Sequence, residues 1–315
     1  MSPAAESSLW SLLSVEHETL YQYAHAVDQS HHMACLRPLE DAAQRLQRFE
    51  LDVSPQPQRL HHRLDALGND RAYFALHAAH RELRVVARSQ VWVRDRYVDL
   101  MPATGATCGD VRECLGYRAS APFQAASEFL YPSPYVPRLE PLIEYAAPSL
   151  QPDRPLAEAA IELMQRIHAD FDYAPASTSI STPVLDVFIE RKGVCQDFAH
   201  LMLACLRAHG LAARYVSGYL LTTPPAGQAP LVGADASHAW VSVWVPGLGL
   251  DGAGDWLDLD PTNSCIPGRQ HVRVAQGRDF GDVTPLRGVI RGGGEHTLLV
   301  RVTTRELKAT APAPV

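Results

Sequence analysis

The sequence RKGVCQDFAHLMLACLRAHG occupies residues 191–210 and predicts the helix on which the C-terminal half of the chain is built. Gly193 permits a tight turn before this helix, and Gly210 suits its end because glycine readily adopts a positive φ. Apolar residues recur between them at helical spacing, as in a helix that packs on a core. We therefore expect a helix that begins near Cys195 and ends at Gly210.

Cys195 falls in the first turn of this predicted helix. Unpaired N–H groups at a helix N-terminus carry partial positive charge, which favours a thiolate and helps to hold an oxyanion. A cysteine in an apolar helix is also commonly a small buried side chain, which is our interpretation of Cys205. Taken alone, Cys195 leaves both interpretations open.

Three strand-like runs follow the helix: AARYVSGYLL at 212–221, SHAWVSVWV at 237–245 and DWLDLD at 255–260. A helix followed by successive strands with turn-rich connections indicates an α+β domain with an antiparallel sheet. Period-2 alternation places His238 and Trp240 on one face of the second run. A histidine that opens such a strand lies at the rim of the sheet, within reach of a neighbouring helix end.

The third run carries two acids that could orient this histidine. Asp258 and Asp260 share a face with Trp256, whereas Leu257 and Leu259 alternate onto the core face. A carboxylate at the strand end could accept the imidazole N–H and fix its tautomer, as the orienting acid of a catalytic triad does. A cysteine, a histidine and a carboxylate are the minimum equipment for covalent acyl transfer.

The chain divides into four predicted parts. Residues 1–130 form a β-rich N-terminal domain, because strand-like runs such as RELRVVARSQVWV dominate this region. Residues 131–154 form a proline-rich connecting segment, since proline prevents a long helix or a central strand there. The apolar side chains of this segment suggest that it packs on another part of the protein. Residues 155–310 form the catalytic domain, which opens with a helix after Pro155, and residues 311–315 form a disordered tail.

Composition and charge exclude some classes of function. The chain of 315 residues is 46% hydrophobic and 20% charged, as in soluble globular proteins, and its net charge of −7 does not favour nucleic acid as a partner. We found no apolar run of about 20 residues and no convincing signal peptide, so we expect a cytoplasmic protein without a membrane partner. The six cysteines do not form a disulfide scaffold or a zinc site.

The sequence resembles the transglutaminase-like superfamily, specifically bacterial transglutaminase-like cysteine proteases. The resemblance rests on GVCQDFAHLMLACLRAHGLAARYVSGYL, HAWVSVWVPG and WLDLDPTN, in that order, with weaker matches at 17–38 and 277–307. It implies that Cys195 is the nucleophile, His238 the base and Asp260, rather than Asp258, the orienting acid. It also implies a papain-like half-fold, a β-rich N-terminal domain, and neither metal nor organic cofactor.

Five further residues are candidates for substrate or oxyanion contacts: Gln196, Asp197, Trp240, Trp256 and Arg278. Gln196 stands where animal crosslinking transglutaminases carry tryptophan, which favours a hydrolase. Asp197 could instead favour the helix dipole, the two tryptophans could be core residues, and Arg278 could belong to a surface ion pair.

The leading expectation is therefore a cysteine hydrolase, a peptidase or amidase acting on a peptide or protein amide. Transfer of the acyl group to an amine and a non-catalytic binding module are the alternatives.

Overall fold

The computed structural model describes residues 10–119, 122–175, 177–222, 237–248 and 256–308. Within these residues the fold is α+β, as predicted, with a larger N-terminal sheet, a group of helices and a four-stranded antiparallel sheet. The expected disordered tail at 311–315 lies outside the described residues. No helix in the described part of the chain is long and apolar enough to cross a membrane.

The N-terminal sheet is organised around one long strand. Its strands are β1 (Trp10–Ala34), β2 (Gln44–Ser54), β3 (Leu60–Leu64), β4 (Asp70–Leu76), β5 (His80–Arg94), β12 (Leu286–Gly292) and β13 (His296–Leu307). The first half of β1 pairs with β5 and β13, and its second half pairs with β4 and β12, all antiparallel. Alternation in β1 buries Leu13, Val15, His17 and Thr19, as expected for a strand with one face on a core.

The part of the chain between β5 and β12 supplies the helices and the second sheet among the described residues. Its helices are α1 (Cys108–Leu115), α2 (Glu140–Ala146), α3 (Leu156–Asp170), α4 (Val184–Glu190), α5 (Cys195–Ala208) and α6 (Phe280–Val283), with a 3₁₀ helix at Ala125–Leu130. The second sheet has the order β10–β9–β8–β11, formed by β8 (Ala213–Leu220), β9 (Ser237–Trp244), β10 (Trp256–Leu259) and β11 (His271–Gly277). The short strands β6 (Asp172–Tyr173) and β7 (Lys192–Gly193) pair in parallel before α5.

Helix α5 is the centre of the C-terminal core. Every residue from Asp197 to Ala208 is buried, because α5 packs on β8 and β9 as well as on α2, α3 and α4. A helix that is apolar on most of its surface is stable only in such an enclosed position. Helix α5, which begins at Cys195, is therefore held on several sides.

The predicted limits of the catalytic domain need correction. Strands β12 and β13 lie within the expected range 155–310, yet both pair with β1 in the N-terminal sheet. Leu13 and Val91 of that sheet also share one apolar core with Leu163 and Leu201 of the helices. The chain therefore returns to its N-terminal sheet after completing the second one, and the two units have a common core.

One local prediction changed, and another was confirmed. Residues 108–115, expected in the β-rich domain, form α1, which Thr107 and Asp110 cap reciprocally. The proline-rich segment contains α2, in which Leu142 is fully buried and which contacts α5. The expectation that this segment packs on the protein is confirmed, and a proline in the first turn of α2 is compatible with a helix.

Candidate active site

Cys195 is the first residue of α5, and its position is fixed by the residues around it. The carboxylate of Asp197 turns back to accept hydrogen bonds from the Val194 N–H at 2.9 Å and from the Thr178 hydroxyl at 2.6 Å. A Cβ at Gly193 would lie 2.9 Å from this carboxylate, so the glycine makes room for the cap. The half-buried Cys195 Sγ lies 4.0 Å from the Ser237 carbonyl oxygen, beside the start of β9.

His238, the second residue of β9, contacts both of the other predicted residues. Its Nε2 lies 2.7 Å from Asp260 Oδ2, and the ring also hydrogen-bonds Cys195. Because Nε2 is engaged by Asp260, Nδ1 is the nitrogen left for the sulfur. Burial alone lowers the pKa of His238, but the hydrogen bonds to Asp260 and Cys195 outweigh it and raise the pKa to about 10. The site favours an imidazolium beside the sulfur.

Asp260 is fully buried directly after β10, and both of its oxygens accept hydrogen bonds. Oδ1 accepts the N–H groups of Thr262 at 2.9 Å and Asn263 at 3.2 Å, and Oδ2 also accepts Asn263 Nδ2 at 2.7 Å. Burial raises the pKa of Asp260, but the hydrogen bonds donated by His238 and His271 lower it by more than burial raises it. The pKa of Asp260 is therefore well below its usual range. The carboxylate is therefore ionised and fixed in place.

The structure places Asp258 in a different environment. Its carboxylate lies 3.7 Å from Arg273 Nε, and Asp41 bridges Arg273 and Arg96 at 3.5 and 2.8 Å. Burial raises the pKa of Asp258, but Arg273 and Arg96 outweigh this effect and lower it. Asp258 belongs to a buried ion cluster between the two sheets, whereas Asp260 contacts the histidine.

Two contacts to Asp260 were not predicted. Besides Asn263, His271 at the start of β11 places Nε2 3.2 Å from Asp260 Oδ2. The sequence carried a partial signal, since WLDLDPTN already contained the asparagine. His271 could not be assigned, because its proximity to Asp260 depends on the order of strands in the sheet.

The side chains of His238, Asp260 and His271 also form a possible metal-ligand group, with ligand atoms all within 4.8 Å of one another. Two ligands of a tetrahedral zinc ion, each about 2.1 Å from the metal, lie about 3.4 Å apart. His238 Nε2 and Asp260 Oδ2 are only 2.7 Å apart, which is a hydrogen-bond distance. In this arrangement the three residues are placed for hydrogen bonding.

Trp240 is a core residue and does not line an open cleft. Its ring is fully buried and lies 6.0 Å from the His238 ring and 5.4 Å from the His271 ring. A Cβ at Gly218 would lie 2.5 Å from this indole, so β8 needs glycine where the ring crosses it. Trp240 therefore packs against both histidine rings from the core.

The remaining candidates lie in different surroundings. Trp256 is partly exposed and packs edge-on against Phe129 at 5.4 Å. Arg278 is exposed and donates two hydrogen bonds to Asp282, at 2.8 and 3.0 Å, as the surface interpretation expected. Gln196 is half-buried next to Cys195.

His200 of α5 is buried and stacks on Tyr135 with ring centres 5.4 Å apart. Burial is the main cause that lowers the pKa of His200, to about 4. It therefore remains neutral within the core.

The sequence is similar to known protein families over both of its parts. Residues 143–261 match the transglutaminase-like superfamily, and residues 13–92 match the bacterial transglutaminase-like N-terminal region. An uncharacterized protein of Mycobacterium tuberculosis (strain ATCC 25618 / H37Rv) is 40% identical over 306 residues, covering 94% of this chain and 95% of that protein. An uncharacterized protein of Mycobacterium leprae is 30% identical over 302 residues, covering 95% of this chain and 100% of that protein.

Two further similarities concern proteins whose names refer to an activity. A protein-glutamine gamma-glutamyltransferase of Pseudomonas aeruginosa is 35% identical over 119 residues, covering 37% of this chain and 17% of that protein. The crystal structure of "a Putative Cysteine Protease from Cytophaga hutchinsonii" superposes with a TM-score of 0.71 at 18% identity, covering 96% of this chain and 93% of that one. This structural likeness shows a common fold over nearly the whole chain.

Proposed function

The chain belongs to the transglutaminase-like superfamily, and from that premise we propose that it is a cysteine hydrolase that cleaves amide bonds. The observation that carries the proposal is the continuous hydrogen-bonded path from Cys195 through His238 to Asp260. A thiol, an imidazole and an orienting carboxylate in this order can form and resolve a thioester. We propose a peptide or protein amide as the substrate, with no nucleic acid or membrane partner.

The proposed reaction begins with transfer of the Cys195 proton to Nδ1 of His238. The thiolate then attacks the substrate carbonyl carbon, and N–H groups in the first turn of α5 stabilise the oxyanion. When the tetrahedral intermediate collapses, the C–N bond breaks and His238 donates its proton to the departing amine. Water, deprotonated by His238, releases the acid from the thioester and restores the thiol.

Asp260 contributes by holding the His238 ring and stabilising its charged form. Its carboxylate is ionised and receives donors on both oxygens, so it cannot rotate freely. The orienting acid of a triad acts in this way without itself becoming protonated. The four residues from Pro261 to Ser264 form a turn immediately after Asp260, which gives the carboxylate these backbone donors.

Transfer of the acyl group to an amine is the second candidate reaction. The similarity of 119 residues to a protein-glutamine gamma-glutamyltransferase supports it. Gln196, in place of the tryptophan of animal crosslinking enzymes, supports hydrolysis instead. In both reactions the thioester on Cys195 is the same, and the difference lies in whether water or an amine resolves it.

The test is to profile the purified protein against a library of peptides and primary amides, with and without a labelled primary amine. We expect release of free acid by the wild type and no turnover by Cys195→Ala. Label incorporated at the expense of free acid would assign acyl transfer instead. Undiminished turnover by Cys195→Ala would rule out both reactions.

A further inference from the structure

A second imidazole reaches the carboxylate that orients His238. Asp260 Oδ2 lies 2.7 Å from His238 Nε2 and 3.2 Å from His271 Nε2. His271 lies on β11, at the opposite edge of the sheet from β10, and its backbone N–H donates to the Gly268 carbonyl at 3.0 Å. The ring is 7% exposed, so its contact with the carboxylate is shielded from water.

The chemistry of the contact fixes the direction of the hydrogen bond between His271 and Asp260. An ionised carboxylate only accepts hydrogen bonds, so the Nε2 facing Asp260 carries the proton. His271 Nδ1 is buried and has no hydrogen-bond partner among the described residues. His238 differs, because its Nδ1 faces Cys195 and gains and loses a proton.

From this geometry, and on the basis of the proposed function, we propose that His271 is a positioning residue. Its Nε2–H holds Oδ2 of Asp260 in the direction that His238 requires. Trp240 packs edge-on against His271 at 5.4 Å and keeps the ring from turning away. The two histidines thus share one carboxylate, one as a proton carrier and the other as a fixed donor.

The titratable groups around this carboxylate come from several elements. His238 faces it from β9 and His271 from β11, while Cys265 lies in the turn after β10 and bridges to the Asp260 backbone. Burial, and then the charge of Asp260, raise the pKa of Cys265 to about 11, so this thiol stays neutral at physiological pH. Cys195, from α5, faces His238.

Loss of the His271 donor has a specific consequence. Asp260 then keeps His238 and Asn263 on Oδ2, and the carboxylate has more freedom to move. The imidazolium of His238 is stabilised less, so the alkaline limb of the pH–activity profile moves to lower pH. We expect a loss of about tenfold to a hundredfold in kcat, because a donor to a charged group that orients the base is removed.

The test compares two substitutions at this position. His271→Gln keeps an N–H donor at a similar reach, and His271→Met fills the space without a donor. We expect the Gln variant to keep its kcat within about threefold and its alkaline limb in place. We expect the Met variant to lose about tenfold or more in kcat, with KM unchanged and the limb about one unit lower.

A matched control is His80→Met, which removes an equally buried histidine, 6% exposed, from β5 in the N-terminal sheet. We expect its pH–activity profile to match that of the wild type. Equal losses in the Gln and Met variants would assign His271 a purely structural role and overturn the proposal. If the Met variant lacks a thermal unfolding transition and is therefore not folded, the test rests on the Gln variant. A shift of the alkaline limb of the pH–activity profile in the folded Gln variant would overturn the proposal.

A second readout separates this proposal from the proposed function. The rate of alkylation of Cys195 by iodoacetamide against pH reports the thiol–imidazole pair without a substrate, with Cys195→Ala as the blank. A shift in this profile for His271→Met but not for His271→Gln supports the positioning role even if no amide is cleaved. One equivalent of zinc per wild-type chain, lost in both variants, would make His271 a metal ligand and contradict the proposal.

Discussion

The hydroxyl of Tyr97 is hydrogen-bonded on both sides to strand β10 beside Asp258: it accepts the Asp258 N–H at 2.8 Å and donates to the Trp256 carbonyl at 2.8 Å. Strand β10 is an edge of the second sheet, paired on its other side with β9. A side chain from the segment after β5 thus satisfies main-chain groups that an edge strand would otherwise leave unpaired. The Tyr97 side chain also links the N-terminal sheet to β10, the strand that immediately precedes Asp260.

Tyr97→Phe removes both hydrogen bonds while keeping the ring. We expect the free energy of unfolding to fall by about 1–3 kcal/mol, because one N–H and one C=O lose their partner. Urea denaturation followed by fluorescence measures this loss. An unchanged unfolding midpoint would mean that water replaces the hydroxyl at no cost.

Asp260→Asn tests the orienting carboxylate with little change in shape. We expect kcat to fall by about a thousandfold or more, since the charge that stabilises the imidazolium of His238 is lost. Steady-state kinetics on the best library substrate measures the loss. A decrease of less than about tenfold would remove Asp260 from its proposed role.

Asp258→Asn is the control for that experiment, because Asp258 lies on β10, two residues before Asp260, and faces the arginines. We expect a loss of about 3–5 kcal/mol in the free energy of unfolding, since Arg273 loses a buried partner. Turnover per folded molecule should remain near that of the wild type. Thermal unfolding and active-site titration of Cys195 measure the two effects separately.

The pH dependence follows from His238. Against the effect of burial, its hydrogen bonds to Asp260 and Cys195 raise its pKa from 6.5 to about 10. The protonated form therefore stabilises the folded state fully below pH 6.5, and this contribution is lost as the pH rises towards 10. We expect activity to decline with an alkaline limb well above pH 7, measured as kcat/KM against pH. A limb near 6.5, the ordinary pKa of histidine, would contradict this prediction.

Gly218→Ala tests the packing beneath the site. The added Cβ would lie 2.1 Å from the Val272 carbonyl oxygen and 2.5 Å from the Trp240 indole, so the strand and the ring must both move. We expect a loss of about 1–3 kcal/mol in stability and a lower kcat, because Trp240 supports both histidines. Ser217→Ala, in the preceding position of β8, is the control. Equal stability of the two variants would show that the sheet adapts freely.

Much of the C-terminal half followed from local patterns. The apolar spacing after Cys195 predicted α5, and period-2 alternation predicted the strands that carry His238 and Asp260. Such periods reflect the geometry of one element at a time, so a single sequence reveals them. The same logic showed that the proline-rich segment, with Leu142, packs on the core.

Other features depended on contacts between distant parts of the chain. Period-2 alternation put Asp258 and Asp260 on one face. Their environments differ in the structure, because arginines from β11 and from the segment after β5 lie beside Asp258. The return of β12 and β13 to the N-terminal sheet was also missed, since alternation reports which face is buried and not which strand is the neighbour.

The sequence by itself determined the helix that begins at Cys195 and the two strands that present His238 and Asp260. Those elements arise from spacing within a few turns or strand repeats, which local steric and hydrophobic rules specify. Only the tertiary structure decided that His271 and Asn263 also hold Asp260, and that Trp240 lies beneath the histidines. These contacts arise because the strand order brings the side chains of β9, β11 and the turn after β10 together at one end of the sheet. The absence of a side chain at Gly218 leaves room for the Trp240 indole.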